Sequence, residues 1–110
     1  MNDRELLELA ARAAGIDPVL AEPINFSTGV EYYWNPRDDD GDALRLAVKL
    51  RMEIDHNHPA DERAWVSVRT QGERTCAVEE FDDESLRAAA TRIAITRAAA
   101  EIGKSMGGGE

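Results

Sequence analysis

Residues 34–50, with the sequence WNPRDDDGDALRLAVKL, restrict the fold of this chain more than any other stretch. The pair Asn35 and Pro36 predicts a turn, because proline restricts its own φ angle and disfavours the α conformation in the residue before it. Apolar residues then recur at helical spacing from Leu44 onward. A helix is therefore expected to begin directly after this turn.

Four aspartates stand where this helix begins, and we expect them to cap it. A carboxylate in this place accepts the unpaired N–H groups of the first turn and meets the positive end of the helix dipole. Asp39 or Asp40 is the predicted N-cap. The alternative is a weak divalent-cation site, but the EF-hand pattern fails, since Pro36 and Ala47 stand where its first aspartate and closing glutamate belong. The cluster consists of Asp38, Asp39, Asp40 and Asp42.

The predicted helix has a wide apolar arc and a narrow polar stripe. Asp42, Arg45 and Lys49 form the stripe. An arc of this width predicts a helix that is covered on more than one side, by a sheet and by another helix. The arc contains Leu44, Leu46, Ala47, Val48 and Leu50.

The rest of the chain predicts further helices around an antiparallel sheet. A first helix begins near Asn2, with Glu5 completing a capping arrangement, and ends at Gly15. Its apolar face contains Leu6, Leu9, Ala10 and Ala13, with Leu7 and Ala14 beside them. Residues 16–29 have no sustained periodicity and are expected to connect elements.

Three later runs alternate between apolar and polar residues and predict a meander of strands, at 52–56, 65–70 and 75–81. Residues 30–34 are aromatic and could add a fourth strand at the sheet edge or cover the core. An alanine-rich helix is expected over residues 84–106.

The predicted fold class is thus α+β, a layered α/β sandwich with a three-stranded or four-stranded antiparallel sheet packed by about three helices. We expect residues 1–106 to form a single domain and residues 107–110 to be a disordered glycine-rich tail.

Composition restricts the partners and the compartment. The 22 acidic and 13 basic residues leave a formal charge of −9, which repels nucleic-acid phosphates and acidic membranes. The single cysteine, Cys76, cannot form an internal disulfide, and the start of the chain, MNDRELLE, lacks the pattern of a signal peptide. We therefore expect a cytoplasmic protein that binds neither membranes nor nucleic acid directly.

His56 and His58 are the candidate metal ligands in the second half of the chain. On an extended chain their imidazoles would face the same way, as two ligands of one metal ion must. No third ligand follows at a characteristic spacing, so a polar hairpin loop is the favoured interpretation.

Other reactive or aromatic residues are assigned to packing. Cys76 has no motif around it and is expected to be a small buried thiol. Trp34 and Trp65 could stack on a ligand, but core or lid packing is favoured. No catalytic, cofactor-binding or metal-ligating residue is assigned, and no cofactor is expected.

The run of residues 34–50, taken with the alanine-rich ending RIAITRAAAEIGKSM, resembles small phage and prophage proteins of the phage ABA sandwich domain family. In that family an aromatic residue precedes an Asn-Pro or similar turn, an Asp-Ala-Leu helix start, a β-hairpin region and an alanine-rich C-terminal helix. The resemblance covers about a third of the chain, and residues 21–29 and 56–62 match nothing general in the family. It implies a layered α/β fold and a phage origin, but no reaction and no catalytic residue. The matching parts here are Trp34, Asn35, Pro36, residues 42–50, the strands between 52 and 81, and residues 93–106.

The C-terminal helix carries apolar residues on two nearly opposite sides. Leu86 and Ile93 can pack on the sheet, which leaves a stripe of Ile95, Ile102 and Met106 with alanines between them. This stripe is the predicted interaction surface. Three partners for it stay open: the first helix of the same chain, a second copy of the protein, or another protein of the host or phage.

We therefore predict a small phage- or prophage-encoded protein that is a non-catalytic protein-interaction or accessory module, with an unknown protein or a second copy as its partner. One alternative is a metal-dependent enzyme that uses the aspartate cluster or His56 and His58. Another is an acidic decoy of nucleic acid, since clustered carboxylates can imitate phosphate charge.

Overall fold

Three helices and two antiparallel sheets make up a computed structural model that describes residues 2–15, 24–25, 31–32, 34–70 and 76–107. The α+β class, with three helices and a three-stranded antiparallel sheet, is confirmed. In chain order the elements are α1 (Asp3–Ala14), β1 (Ile24–Asn25), β2 (Glu31–Tyr32), α2 (Asp40–Lys49), β3 (Glu53–His56), β4 (Ala64–Arg69), β5 (Cys76–Phe81), a 3-10 turn (Glu84–Leu86) and α3 (Arg87–Gly107).

The main sheet is the predicted meander, with strand order β3-β4-β5. Its register pairs Ile54 with Val68, and Val68 with Ala77. The predicted alternation on β4 is confirmed, because Val66 and Val68 are completely buried. The core therefore lies on the face of the sheet that carries these two valines.

The expected fourth strand does not join this sheet. Within the described residues, β1 and β2 instead form a separate two-stranded antiparallel sheet in which Ile24 pairs with Tyr32. Trp34, which follows β2, is buried in the core, as the packing interpretation predicted. The remainder of the predicted connecting segment, residues 16–23 and 26–29, together with Val30 and Tyr33, lies outside the described residues.

Helix α1 has the predicted ends. The Asn2 side chain accepts from the backbone N–H of Glu5 (2.8 Å), and the Glu5 side chain accepts from the backbone N–H of Asn2 (3.2 Å), which completes a capping box. Gly15 ends the helix with a left-handed φ of 73°. The buried face consists of Ala10, Ala11 and Ala14.

Helix α3 is covered on two sides within the same chain. It packs against β4 and β5 on one side and against α1 on another. The approach to α1 is close at Gly103, where an added Cβ atom would lie 1.9 Å from the carbonyl oxygen of Leu9. The first helix, one of the three partners left open for α3, is therefore in contact with it. The predicted helix of residues 84–106 begins as a 3-10 turn and continues to Gly107, which was expected to belong to the tail. The rest of the predicted tail, residues 108–110, lies outside the described residues.

Helix α2 is rotated relative to the sequence prediction. Asp39 is the N-cap, as expected. However, Asp42 from the predicted polar stripe is buried, whereas Leu44 and Val48 from the apolar arc are 62 % and 67 % exposed. The prediction of a helix covered on more than one side was wrong, because its buried face holds only Asp42, Ala43, Leu46 and Ala47. One apolar flank of α2 therefore faces solvent.

Candidate functional site

An apolar groove lies between α2, β3 and the first half of α3, and we call it the α2 groove. Its volume is about 560 Å³. Each element contributes aliphatic side chains to it, among them Ala43 from α2, Ile54 from β3 and Ile95 from α3. Leu44 lines the groove from its exposed position on α2, and Val48 lies one helical turn further along the same face. The exposed flank of α2 is therefore continuous with a concave apolar surface.

Arg87 lines the α2 groove, and several neighbours hold its guanidinium in place. Its Nε and Nη2 donate to the two carboxylate oxygens of Glu84, at 2.8 and 2.6 Å. Nη2 also donates to Oδ1 of Asn57 (2.8 Å), and Nη1 lies 2.9 Å from Nδ1 of His56. The guanidinium carbon is 4.7 Å from the centre of the Phe81 ring, a cation–π distance. These contacts join the start of α3 to the loop after β3.

The Arg87–Glu84 pair changes the protonation of both groups. The hydrogen bond from Arg87 lowers the pKa of Glu84 below its ordinary value, and the same hydrogen bond raises the pKa of Arg87. The pair therefore remains ionised over a wider pH range than two isolated groups would.

A second pocket, which we call the acidic pocket, is also lined by this pair. Its volume is about 530 Å³. Its lining includes four carboxylates and one guanidinium, and it shares His56, Glu84 and Arg87 with the α2 groove. The carboxylates belong to Asp61, Glu62, Asp82 and Glu84.

The two predicted histidines have different roles. His56 ends β3 and contacts Arg87, whereas His58 lies in the following turn. The backbone N–H of His58 donates to Oδ2 of Asp61 (3.0 Å), and Nδ1 of His58 accepts from the backbone N–H of Ala60 (3.0 Å). Across the described part of the chain, no three His, Cys, Asp or Glu side chains come together closely enough to hold a metal ion. His58 thus belongs to the polar turn after β3, as expected, whereas His56 is the last residue of the strand.

The aspartate cluster is engaged in local structure. The Asp39 side chain accepts from the backbone N–H of Asp42 (2.8 Å), as the capping prediction requires. Oδ2 of Asp42 accepts from the backbone N–H of Asn35 (2.9 Å) and Oδ1 accepts from Arg45 (2.7 Å), which explains how this carboxylate is buried. Asp38 accepts from the side-chain amide of Asn35 (2.9 Å), and Asp40 pairs with Arg92 of α3 (2.7 Å).

The predicted interaction stripe is not one open surface. Ile95 is 3 % exposed and belongs to the core, Ile102 is half-buried, and Met106 is 59 % exposed. Trp65 is half-buried on β4. The expected burial of the Cys76 thiol concerns a side chain outside the described part of the structure.

Sequence reasoning singled out His56 and Ile95, which line these pockets, but it missed the ion pair that both pockets share. Glu84 and Arg87 are three residues apart at the start of a helix, a spacing that predicts an ion pair. Nothing in the local pattern indicates that Asn57 and His56, about thirty residues earlier, meet the same guanidinium.

Comparison of the chain with protein-family models, with curated proteins and with solved structures gave no match. Within the described ranges, no helix combines the length and the apolar character needed to cross a membrane. The resemblance to the phage ABA sandwich family stays a prediction.

Proposed function

We propose that this chain is a non-catalytic protein-interaction module, and that its binding surface is the α2 groove with the exposed flank of α2. The observation that carries the proposal is the exposure of Leu44 and Val48 beside a groove lined by Ala43, Ile54 and Ile95. Large apolar side chains that are grouped around a concavity are typical of protein-binding surfaces.

The geometry of α2 supports this assignment. The helix has a buried face and contacts α3, while Leu44 and Val48 keep 62 % and 67 % of their surface exposed. Covering an exposed leucine or valine releases about 1.5–3 kcal/mol for full burial. Two such residues at adjacent turns therefore provide a useful anchor for a partner.

The alternative of a metal-dependent enzyme has less support. The side chains of Asp38, Asp39, Asp40 and Asp42 each accept a hydrogen bond that holds a turn, a helix end or an ion pair. Using them as metal ligands would disrupt those contacts. His56 and His58 likewise contact different groups.

The origin and compartment are part of the proposal. The resemblance of residues 34–50 and of the alanine-rich ending to the phage ABA sandwich family supports a phage or prophage origin. The lone cysteine supports a role in the host cytoplasm. Under this reading the partner is a phage or host protein.

Selection of peptides tests the proposal. A library of random 12-residue peptides displayed on phage particles is panned against the purified protein, and enriched peptides are synthesised and titrated. We expect enriched peptides that lose at least tenfold in affinity for Leu44→Glu, because a carboxylate then occupies the edge of the groove. The matched control is Val78→Glu, which adds the same charge at a 50 % exposed apolar residue on β5 and should leave binding unchanged.

Two results would contradict the proposal. One is a selection that enriches no peptide, and the other is a set of peptides that binds Leu44→Glu and the parent equally. Circular dichroism verifies that each variant is folded. If Leu44→Glu does not fold, Leu44→Ser is used in its place.

A further inference from the structure

The acidic pocket adjoins the α2 groove so closely that one short segment can occupy both. His56, Glu84 and Arg87 line the two cavities together. A partner that places an apolar side chain against Leu44 and Ile54 therefore passes beside the acidic pocket. The chemistry of that pocket then decides which neighbouring side chain the partner can carry.

The acidic pocket has unbalanced negative charge. Its one guanidinium, Arg87, already makes two hydrogen bonds to Glu84. Asp61 accepts a backbone N–H of the turn. Among the described residues, the side chains of Glu62 and Asp82 have no hydrogen-bond or ion-pair partner. Two carboxylates on the wall of a concavity are thus open to a cation.

The arrangement of these carboxylates fits a long cationic side chain better than a compact metal ion. No metal-holding group of acidic side chains or histidines exists among the described residues, so the carboxylates surround the pocket without converging on a point. A guanidinium carries five donors in a planar fork, and an ammonium carries three donors on a flexible stem. Either can reach carboxylates that are spread over a pocket of about 530 Å³.

We propose, resting on the proposed interaction function, that the occupant is a segment of another protein with an apolar side chain in the α2 groove and a lysine or arginine in the acidic pocket. The net charge of −9 supports a basic partner and opposes a second copy, since two copies would bring equal negative charges together. The occupant is therefore a basic, partly apolar segment.

The experiment uses the peptides enriched on the parent protein, with each lysine or arginine replaced by glutamine in a second synthetic set. We expect the cationic peptides to bind about threefold to tenfold more tightly than their glutamine versions, as exposed charge pairs typically allow. We also expect this difference to shrink in 0.5 M NaCl, because salt screens exposed charges.

Two double variants locate the effect. Glu62→Gln with Asp82→Asn removes two carboxylates from the acidic pocket and should weaken the cationic peptides about threefold to tenfold while leaving the glutamine peptides unchanged. The control double variant, Glu8→Gln with Glu101→Gln, removes two carboxylates as well, one from α1 and one from the second half of α3. It should leave the affinity of both the cationic and the glutamine peptides unchanged.

The outcomes separate this inference from the proposed function. Suppose that the peptides need Leu44 but bind equally well when their lysines and arginines are replaced by glutamine. That result would overturn the inference and leave the proposed function in place, and so would equal binding of the cationic peptides to the two double variants. Peptides indifferent to Leu44→Glu would overturn both. A concentration-dependent dimer that Leu44→Glu dissociates in analytical ultracentrifugation would show that the occupant is a second copy, which also contradicts the inference.

Discussion

Arg87 shows how one side chain can define two neighbouring cavities. It is the first residue of α3, and its guanidinium reaches Glu84 on the preceding turn, Asn57 and His56 after β3, and the ring of Phe81 at the end of β5. The planar fork of arginine permits these contacts simultaneously, whereas the point charge of lysine does not. Arg87 therefore connects the other two residues that the α2 groove and the acidic pocket share, His56 and Glu84.

The shifted pKa of Glu84 predicts a pH effect on stability. Because Arg87 lowers the pKa of Glu84 in the folded state, the unfolded chain binds the proton more readily, and this carboxylate stabilises the fold above its ordinary pKa. The contribution is lost as the pH falls through the lowered pKa. Urea unfolding from pH 7 to pH 3 should therefore show Glu84→Gln less stable than the parent at pH 7, with the difference disappearing in acid.

The matched control for this measurement is Glu101→Gln. Glu101 is 3.7 Å from Lys104, a longer separation than the 2.6 Å between Glu84 and Arg87, so a smaller difference is expected. A deficit of Glu84→Gln that stays constant down to pH 3 would contradict the role assigned to ionised Glu84.

At the scale of the secondary-structure elements, the main feature is the close contact between helices α1 and α3. Both helices carry alanines that are completely buried, among them Ala10 and Ala11 on α1 and Ala98 and Ala99 on α3. Small side chains let two helix backbones approach closely. At Gly103 the approach is so close that a backbone carbonyl of α1 occupies the space of a Cβ atom.

Gly103→Ala should therefore destabilise the protein although alanine is the better helix former. Alanine gains about 1 kcal/mol of helix propensity over glycine. Against this, the 1.9 Å contact with the Leu9 carbonyl forces α1 away from α3, and overpacking of this kind costs about 1–3 kcal/mol or more. Urea denaturation should show a net loss.

Ser105→Ala is the matched control, because it changes an exposed residue one half-turn away and should be neutral or slightly stabilising. A higher melting temperature for Gly103→Ala would mean that the two helices do not touch at this point.

At the scale of the whole molecule, the charge of −9 acts against compactness, because the acidic groups repel one another more in the folded state. Ion pairs oppose this repulsion, but many are exposed on both sides, as Arg4 with Glu8 and Arg63 with Glu80 are. Exposed pairs contribute about 0–1 kcal/mol each. Salt weakens both the repulsion among the acidic groups and the attraction within the ion pairs. We expect the loss of repulsion to be the larger effect, so that salt stabilises the fold.

Raising NaCl from 0.05 to 0.5 M should accordingly raise the melting temperature in differential scanning calorimetry. KCl at the same concentrations is the control, since screening does not depend on which monovalent cation is present. A melting temperature that falls with salt would show that the ion pairs, foremost Arg92 with Asp40, outweigh the repulsion.

Features that depend on neighbours in the chain were predictable. Asn2, Gly15 and Asp39 act at helix ends as expected, because capping needs only residues within one turn. The strand alternation around Val66 and Val68 and the length of α3 followed equally from local periodicity. The candidate site was not predictable, since its lining comes from three separate parts of the chain.

The sequence by itself determined the helix ends, the three-stranded meander and the α+β class, because hydrogen bonds within a turn and alternation along a strand are local properties. Only the tertiary structure decided which way α2 faces. Periodicity placed Leu44 inside and Asp42 outside, but the Asn35 N–H and the Arg45 guanidinium give Asp42 two partners in the folded chain, so its carboxylate can be buried. Leu44 is consequently left on the surface, and the α2 groove exists because of that rotation.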